Sequence, residues 1–184
     1  PLLTFIGAWV LAGEAVTGIG GLGILLLVAG IWLTARRGSR SIRLAGLTLF
    51  FALGTSAFIA AYTLVDGLGA RLSASASAYA GALFVLDGLF MIIVALVTRG
   101  PKVFVQVLPS WKSGVTAALF SGGAYWIVIW AMSLAPIAAV AALRETSILF
   151  VMLMSAYFLK EKVTGFRLFG AVLIVLGAVS LRLA

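Results

Sequence analysis

The sequence predicts an all-α fold: a polytopic bundle of membrane-spanning helices. Three observations predict it. Hydrophobic residues make up 64% of the 184-residue chain, charged residues only 10%, and mean hydropathy is +1.24. The apolar residues fall into segments of the length that crosses a bilayer, roughly 20 residues each. A stretch at the start of the chain also recurs at its end. A soluble domain carries about 25% charged residues, so a chain this poor in polar groups must present its apolar surface to lipid. Histidine and cysteine are both absent. That removes imidazole and thiolate metal sites, cysteine nucleophiles, Ser-His triads and disulfides, and no cofactor or metal is expected. The net charge of +8 does not indicate nucleic acid, because the basic residues sit between apolar runs, where the positive-inside rule places them.

The chain begins with Pro1, and no basic segment precedes its first apolar run. A signal peptide is therefore not expected; the opening is expected to lie inside a helix, with the N-terminal part of the protein missing. Residues 1–13 are too short to cross and read as the tail of a span. Residues 18–35 form the first complete span, followed by a basic loop with Arg36, Arg37, Arg40 and Arg43. The next runs from about Leu44 to Val65 and is expected to end at a turn, Asp66-Gly67. The serine-alanine stretch 73–78 reads as a short connection. A span from Tyr79 to Thr98 contains Asp87, and residues 99–112 read as a longer loop with two prolines. Spans over 113–134 and 136–159 follow, the latter with Pro136 in its first turn, where a missing N–H costs nothing. The last runs from about Thr164 to Leu181. The expectation is one partial and six full spans.

An internal repeat organises these spans. Shifting the chain by 147 residues lays 1–37 on 148–184 and aligns Glu14 with Glu161, Val16 with Val163, Thr17 with Thr164, Gly18 with Gly165, Gly23 with Gly170 and Gly30 with Gly177. Generic apolar similarity aligns leucines and valines, but not a glutamate, a threonine and three glycines without gaps. Gly23 and Gly30, like Gly170 and Gly177, lie seven apart on one helix face, where backbones can approach closely. Five expected spans separate the turns at Glu14 and Glu161. An odd number places those turns on opposite sides of the membrane, so the repeats are inverted. Glu14 and Glu161 themselves read as turn residues whose charge suits a helix N-terminus.

A charge inside a span costs about 2.5–3.5 kcal/mol on insertion scales and faces a cavity or a partner. Asp87, Arg144 and Glu145 qualify. Arg144 reads either as a clamp for an anionic group or as the partner of Asp87 or Glu145. Glu145 and Asp87 read as proton-exchange or amine-binding carboxylates, because burial disfavours a charged carboxyl, or as helix-to-helix hydrogen-bonding groups. Ser147, three residues after Arg144, shares its face. Tyr125 and Trp126 lie on one helix with Trp130, and could wall a pocket or anchor the interface. Ser121 shares the face of Tyr125, and Tyr62 sits seven residues beyond Thr55 as a further pocket candidate. Trp111 reads as an interface anchor.

The run Pro136-Ile-Ala-Ala-Val-Ala-Ala-Leu-Arg144-Glu145-Thr146-Ser147, then Phe158-Leu-Lys-Glu161-Lys-Val-Thr164, then Gly170 through Gly177, with Ala61-Tyr-Thr-Leu-Val-Asp66-Gly-Leu-Gly69 upstream, resembles the drug/metabolite transporter superfamily, specifically its EamA-type family. The resemblance spans essentially the whole chain. It implies ten helices in two inverted five-helix repeats, with the first repeat incomplete here: residues 1–37 would be the end of helix 4 and helix 5, and residues 38–184 the second repeat, helices 6–10. It implies a secondary transporter, exporter or exchanger, that moves a small metabolite by alternating access, in a bacterial inner (plasma) membrane. The lipid bilayer and the metabolite would be its partners, nucleic acid would not, and self-association into a homo-oligomer stays open. The alternatives are a non-transporting assembly or regulatory protein and an intramembrane enzyme using Asp87 and Glu145; enzymatic activity is not expected. Orientation divides the two lines of reasoning. Ten Lys/Arg at 36–43, 99–112 and 160–167 face Arg71 and Arg182 on the other side, which puts those three loops in the cytoplasm; the resemblance implies the reverse, and the charge bias is preferred.

Overall fold

The computed structural model describes residues 2–14, 17–36, 46–158, 160 and 164–182. Arg37, Arg40, Arg43 and Glu161 lie outside them, so the basic loop and the membrane side of the second repeat's turn are not described. Every regular element among the described residues is helical: α1 (Leu2–Leu11), α2 (Gly18–Arg36), α3 (Gly46–Leu72), α4 (Ala76–Arg99), α5 (Lys102–Val107), a 3-10 turn (Leu108–Ser110), α6 (Trp111–Leu134), α7 (Ile137–Arg144), α8 (Ser147–Phe158) and α9 (Gly165–Arg182). Among the described residues, four helical stretches are long and apolar enough to cross a membrane: Gly46–Leu72, Ala76–Arg99, Lys102–Leu134 and Ile137–Phe158. The apolar stretches of α2 and α9, Gly18–Thr34 and Gly165–Leu181, are shorter. The chain is thus an all-α polytopic membrane helix bundle.

Local chemistry sets the boundaries. Gly13 adopts φ +64°, a left-handed conformation that glycine takes at low cost, and stops α1; the Glu14 N–H then returns to the Ala8 carbonyl at 3.2 Å. Thr17 caps α2 by accepting from the Gly20 N–H at 3.1 Å, and Ser75 caps α4 by accepting from the Ala78 N–H at 3.4 Å.

Three expectations are corrected. The span expected to stop at Asp66-Gly67 continues as α3 to Leu72. The Asp66 side chain bonds to groups on other helices rather than to its own backbone, so it forms no turn. The expected loop over 99–112 is largely helical. Pro101 precedes the first turn of α5 and Pro109 lies in the first turn of the 3-10 segment, positions where a proline forfeits no ladder bond. The span expected to run unbroken over 136–159 is split into α7 and α8 at Glu145-Thr146. Here the N–H groups of Glu145, Thr146, Ile148 and Leu149 donate to carbonyls three residues back, at 2.9–3.2 Å, a tighter pattern than the α-helical one. The Thr146 hydroxyl donates to the Leu143 carbonyl at 2.7 Å and occupies one more acceptor there.

The chain divides into two compact units, Pro1–Val65 with Ala135–Ala184, and Asp66–Leu134. In the first, α2 and α9 pack closely around Ile24, Leu27 and Ile174, all 3% exposed or less, with Ala142 of α7 against them. The repeat glycines make this approach. A Cβ built on Gly30 would stand 2.6 Å from the Gly170 carbonyl oxygen, and one on Gly177 2.6 Å from that of Gly23. Pairing 23 with 177 and 30 with 170 means that the helices run antiparallel. The shift of 147 residues exchanges the two pairs, which is the pattern of a local twofold axis, where residue i meets j and j meets i. In the second unit, Ala70, Ala80 and Ile129 form the buried core of α3, α4 and α6. The Arg71 Nε–H donates to the Met132 carbonyl at 3.0 Å, placing a cation at the C-terminal end of α6.

Candidate functional site

The first unit holds a half-open cavity of about 700 Å³, within the range of small-molecule sites. Each surrounding element gives it an apolar wall: Phe5 and Trp9 from α1, Ile24 from α2, Leu143 from α7, Phe150 from α8 and Val179 from α9. The side chains of Glu14, Thr17 and Thr146 supply polarity. All three are held by helix ends. The Glu14 carboxylate accepts from the Ile137 N–H at 2.6 Å and the Ala138 N–H at 3.2 Å. It therefore caps α7, a helix more than 120 residues away in the chain, and its charge meets the positive end of that helix. Thr17 caps α2, and Thr146 sits at the α7–α8 break. The arrangement suits a ligand with much apolar surface and few polar contacts.

The residues singled out in the sequence take varied places. Arg144 and Glu145 are half-buried at the break; Leu143 and Thr146 on either side of them line the cavity, and they do not. Ser147 is exposed at the start of α8. Tyr62 is exposed on α3, and Thr55 on the same helix donates its hydroxyl to the Phe51 carbonyl. Asp87 is exposed on α4. Trp126 is exposed, and its indole N–H donates to the Ser77 hydroxyl at 3.1 Å. Trp130, Ser121 and Trp111 are exposed as well.

Tyr125 belongs to a cluster that sequence reasoning missed. Its hydroxyl donates to Asp66 Oδ2 at 2.5 Å, and the Tyr79 hydroxyl donates to Oδ1 of the same carboxylate at 3.0 Å. Asp66 is 5% exposed. The Tyr79 ring lies so close to Gly69 that a Cβ there would overlap it, so glycine at 69 lets the phenol reach the carboxylate. The signal in the sequence was an aspartate inside an apolar helical run. Its neighbour Gly67 gave it the look of a turn residue. Glu14 was likewise read as a local turn residue, whereas the helix it caps is distant.

Neither the curated proteins nor the solved structures contain a match to this chain. A family model does match: the EamA-like transporter family aligns with residues 46–183, from the first residue of α3 into the C-terminal end of the chain, well over half of its length. With its long apolar helices and cavity, the chain belongs to the EamA-like transporter family, whose members are membrane transporters of small molecules.

Proposed function

We propose that this chain forms part of a secondary transporter, an exporter or exchanger, that carries a small metabolite across the plasma membrane by alternating access. One observation carries the reading: the cavity wall includes a span broken in its middle, with the N-terminus of the half-helix α7 capped by a cavity-lining carboxylate. Discontinuous spans whose half-helices abut a cavity are the recurring substrate sites of secondary transporters, because irregular backbone at membrane depth is tolerated where it lines a cavity. The antiparallel, twofold-like pairing of α2 with α9 supports inverted repeats, with residues 1–37 ending a first and 38–184 forming a second.

On this reading the metabolite rests its apolar part on Trp9, Phe5 and Phe150. Arg144 and Glu145, at the break, act on its polar part when α7 moves, with Ser147 beside them. Asp87, Tyr62 and Trp126 stay candidates for substrate binding or coupling.

The test is flux into proteoliposomes containing the intact protein, against a panel of amino acids and small metabolites. Transport of at least one compound is expected. Trp9→Ala should reduce it, and Arg144→Ala and Glu145→Gln should each lower it by about tenfold or more, the equivalent of one lost charged contact. Unchanged flux in both charge variants dismisses those two assignments. No flux of any compound by the folded protein overturns the transporter reading.

A further inference from the structure

We infer that α5 and the 3-10 turn after it, with Arg99 before them and Trp111 and Lys112 behind, form an in-plane anchor that lies on the membrane surface and takes the headgroups of anionic phospholipid.

Length comes first. The stretch Lys102–Leu134 is helical over 33 residues, about 50 Å at 1.5 Å per residue, against a hydrocarbon core of about 30 Å. α6 supplies the crossing by itself. Its 24 residues reach about 36 Å, which fills the core within the usual range of tilt. Sliding the core back over α5 would instead sink Lys112 into it, and a charge there is costly. The 3-10 turn with Pro109 separates α6 from α5, so α5 lies beyond the hydrocarbon, at headgroup depth. The chain arrives there by a sharp corner: Gly100 adopts φ +70° and ends α4, returning its N–H to the Leu96 carbonyl at 3.0 Å. Arg99 therefore closes one span just before Lys102 opens the segment that leads to the next.

The faces of the segment match that depth. Phe104 and Leu108 lie four apart and Trp111 three further, so the three share one stripe; they are 44%, 67% and 55% exposed. Lys102 and Gln106, each two positions from Phe104, point about 160° away from it. Both are exposed, as are Arg99 and Lys112, and every residue of α5 is at least partly exposed. Standing in water, the segment would leave its apolar stripe wet. Inside the core it would bury its cations. Lying in the interface plane satisfies both faces, with the stripe in the acyl boundary and the cations among the headgroups. Trp111 is a residue type that settles at that level, and Lys112 Nζ lies 6.0 Å from the centroid of its ring, within reach of a cation–π contact. Residues 99–112 carry three cations, Arg99, Lys102 and Lys112, and no acidic side chain. Their complement is the phosphate of an anionic lipid, and each cation beside such a surface strengthens binding about fivefold. The anchor does not rest on the transporter reading above.

The sequence has no cysteine, so Phe104→Cys, Gln106→Cys and Leu108→Cys of the intact protein can each carry a single nitroxide. Electron paramagnetic resonance in vesicles of phosphatidylcholine and phosphatidylglycerol in equal parts then reads the depth of each label. Labels at 104 and 108 are expected to meet oxygen dissolved in the bilayer more than a water-soluble nickel chelate, and the label at 106 the reverse. A preference for the chelate at all three, as for a helix standing in water, overturns the anchor; so does a preference for oxygen at all three, as for a helix sunk in the core. Headgroup choice is read with a fluorophore on Leu108→Cys, quenched by nitroxide-labelled phosphatidylglycerol or by the same amount of nitroxide-labelled phosphatidylcholine. Stronger quenching by the anionic lipid is expected, falling toward parity in the added triple variant Arg99→Gln, Lys102→Gln, Lys112→Gln and at high salt, which screens exposed charges. Equal quenching by the two lipids, or a preference that neither the triple variant nor salt reduces, overturns recognition of anionic lipid. The comparison of the two lipids at low and high salt decides the matter even where the triple variant does not fold.

Discussion

Gly30→Ala is the sharpest perturbation of the first unit. The added Cβ would lie 2.6 Å from the Gly170 carbonyl oxygen and 2.9 Å from the Ile174 nitrogen, both backbone atoms that cannot swing aside. A comfortable C···O contact is about 3.3 Å, so α2 and α9 must separate by roughly 0.7 Å. A gap of that size forfeits about a quarter to a half of each dispersion contact across it, and Ile24, Leu27 and Ile174 sit in that seam. The cost expected for such overpacking is about 1–3 kcal/mol. Alanine also gains up to about 1 kcal/mol of helix propensity over glycine. The comparison variant is therefore Gly54→Ala in α3, which gains the same propensity and meets nothing within 4 Å. Thermal unfolding in detergent, followed by tryptophan fluorescence, should place Gly30→Ala about 2–12 °C below Gly54→Ala. Gly23→Ala, whose Cβ would stand 2.9 Å from the Gly177 oxygen, should fall between them. Equal midpoints for Gly30→Ala and Gly54→Ala would show that the two helices do not meet through these glycines.

Other substitutions probe the remaining contacts. Glu14→Gln removes the charge and one of the two acceptors at the N-terminus of α7, a loss of about 1.5–3 kcal/mol; amide hydrogen exchange at Ile137 and Ala138 should accelerate by tenfold or more by the same scale, and unchanged protection there would show that the cap does not hold. Tyr125→Phe leaves Asp66 Oδ2 without its donor and should cost about 1.5–3 kcal/mol in denaturant unfolding, more than Tyr79→Phe, whose bond is longer; the reverse order would contradict the geometry. Ser75→Ala removes a long, exposed cap from α4 and should cost about 0.5 kcal/mol, the low end for N-caps, visible as faster exchange at Ala78 alone.

Helix placement was legible because each span is a run of apolar residues with polar or small residues at its ends. The four repeat glycines were legible too, since a seven-residue spacing sets them on one face. The α7–α8 break was not: the polar run Arg144-Glu145-Thr146-Ser147 was read as site chemistry within a continuous span, and the split itself lies in carbonyl pairing, which composition does not report. Asp66 was misread because Asp-Gly is the chemistry of a turn, and nothing local says that two phenols 13 and 59 residues away complete the carboxylate. Residues 99–112 were misread because prolines count as breakers until their place in a first turn is known. Arg144 and Glu145 fall at the junction of α7 and α8, and which residues there meet the cavity depends on the break, which places Leu143 and Thr146 against it.

Glu14 sits on the corner between α1 and α2 yet grips the start of α7. Tilting α7 therefore tugs that corner, and through it the end of α1 that carries Trp9. α1 also packs directly against α7, so a motion of the half-helix would reach the adjoining wall of the cavity both through that packing and through one carboxylate.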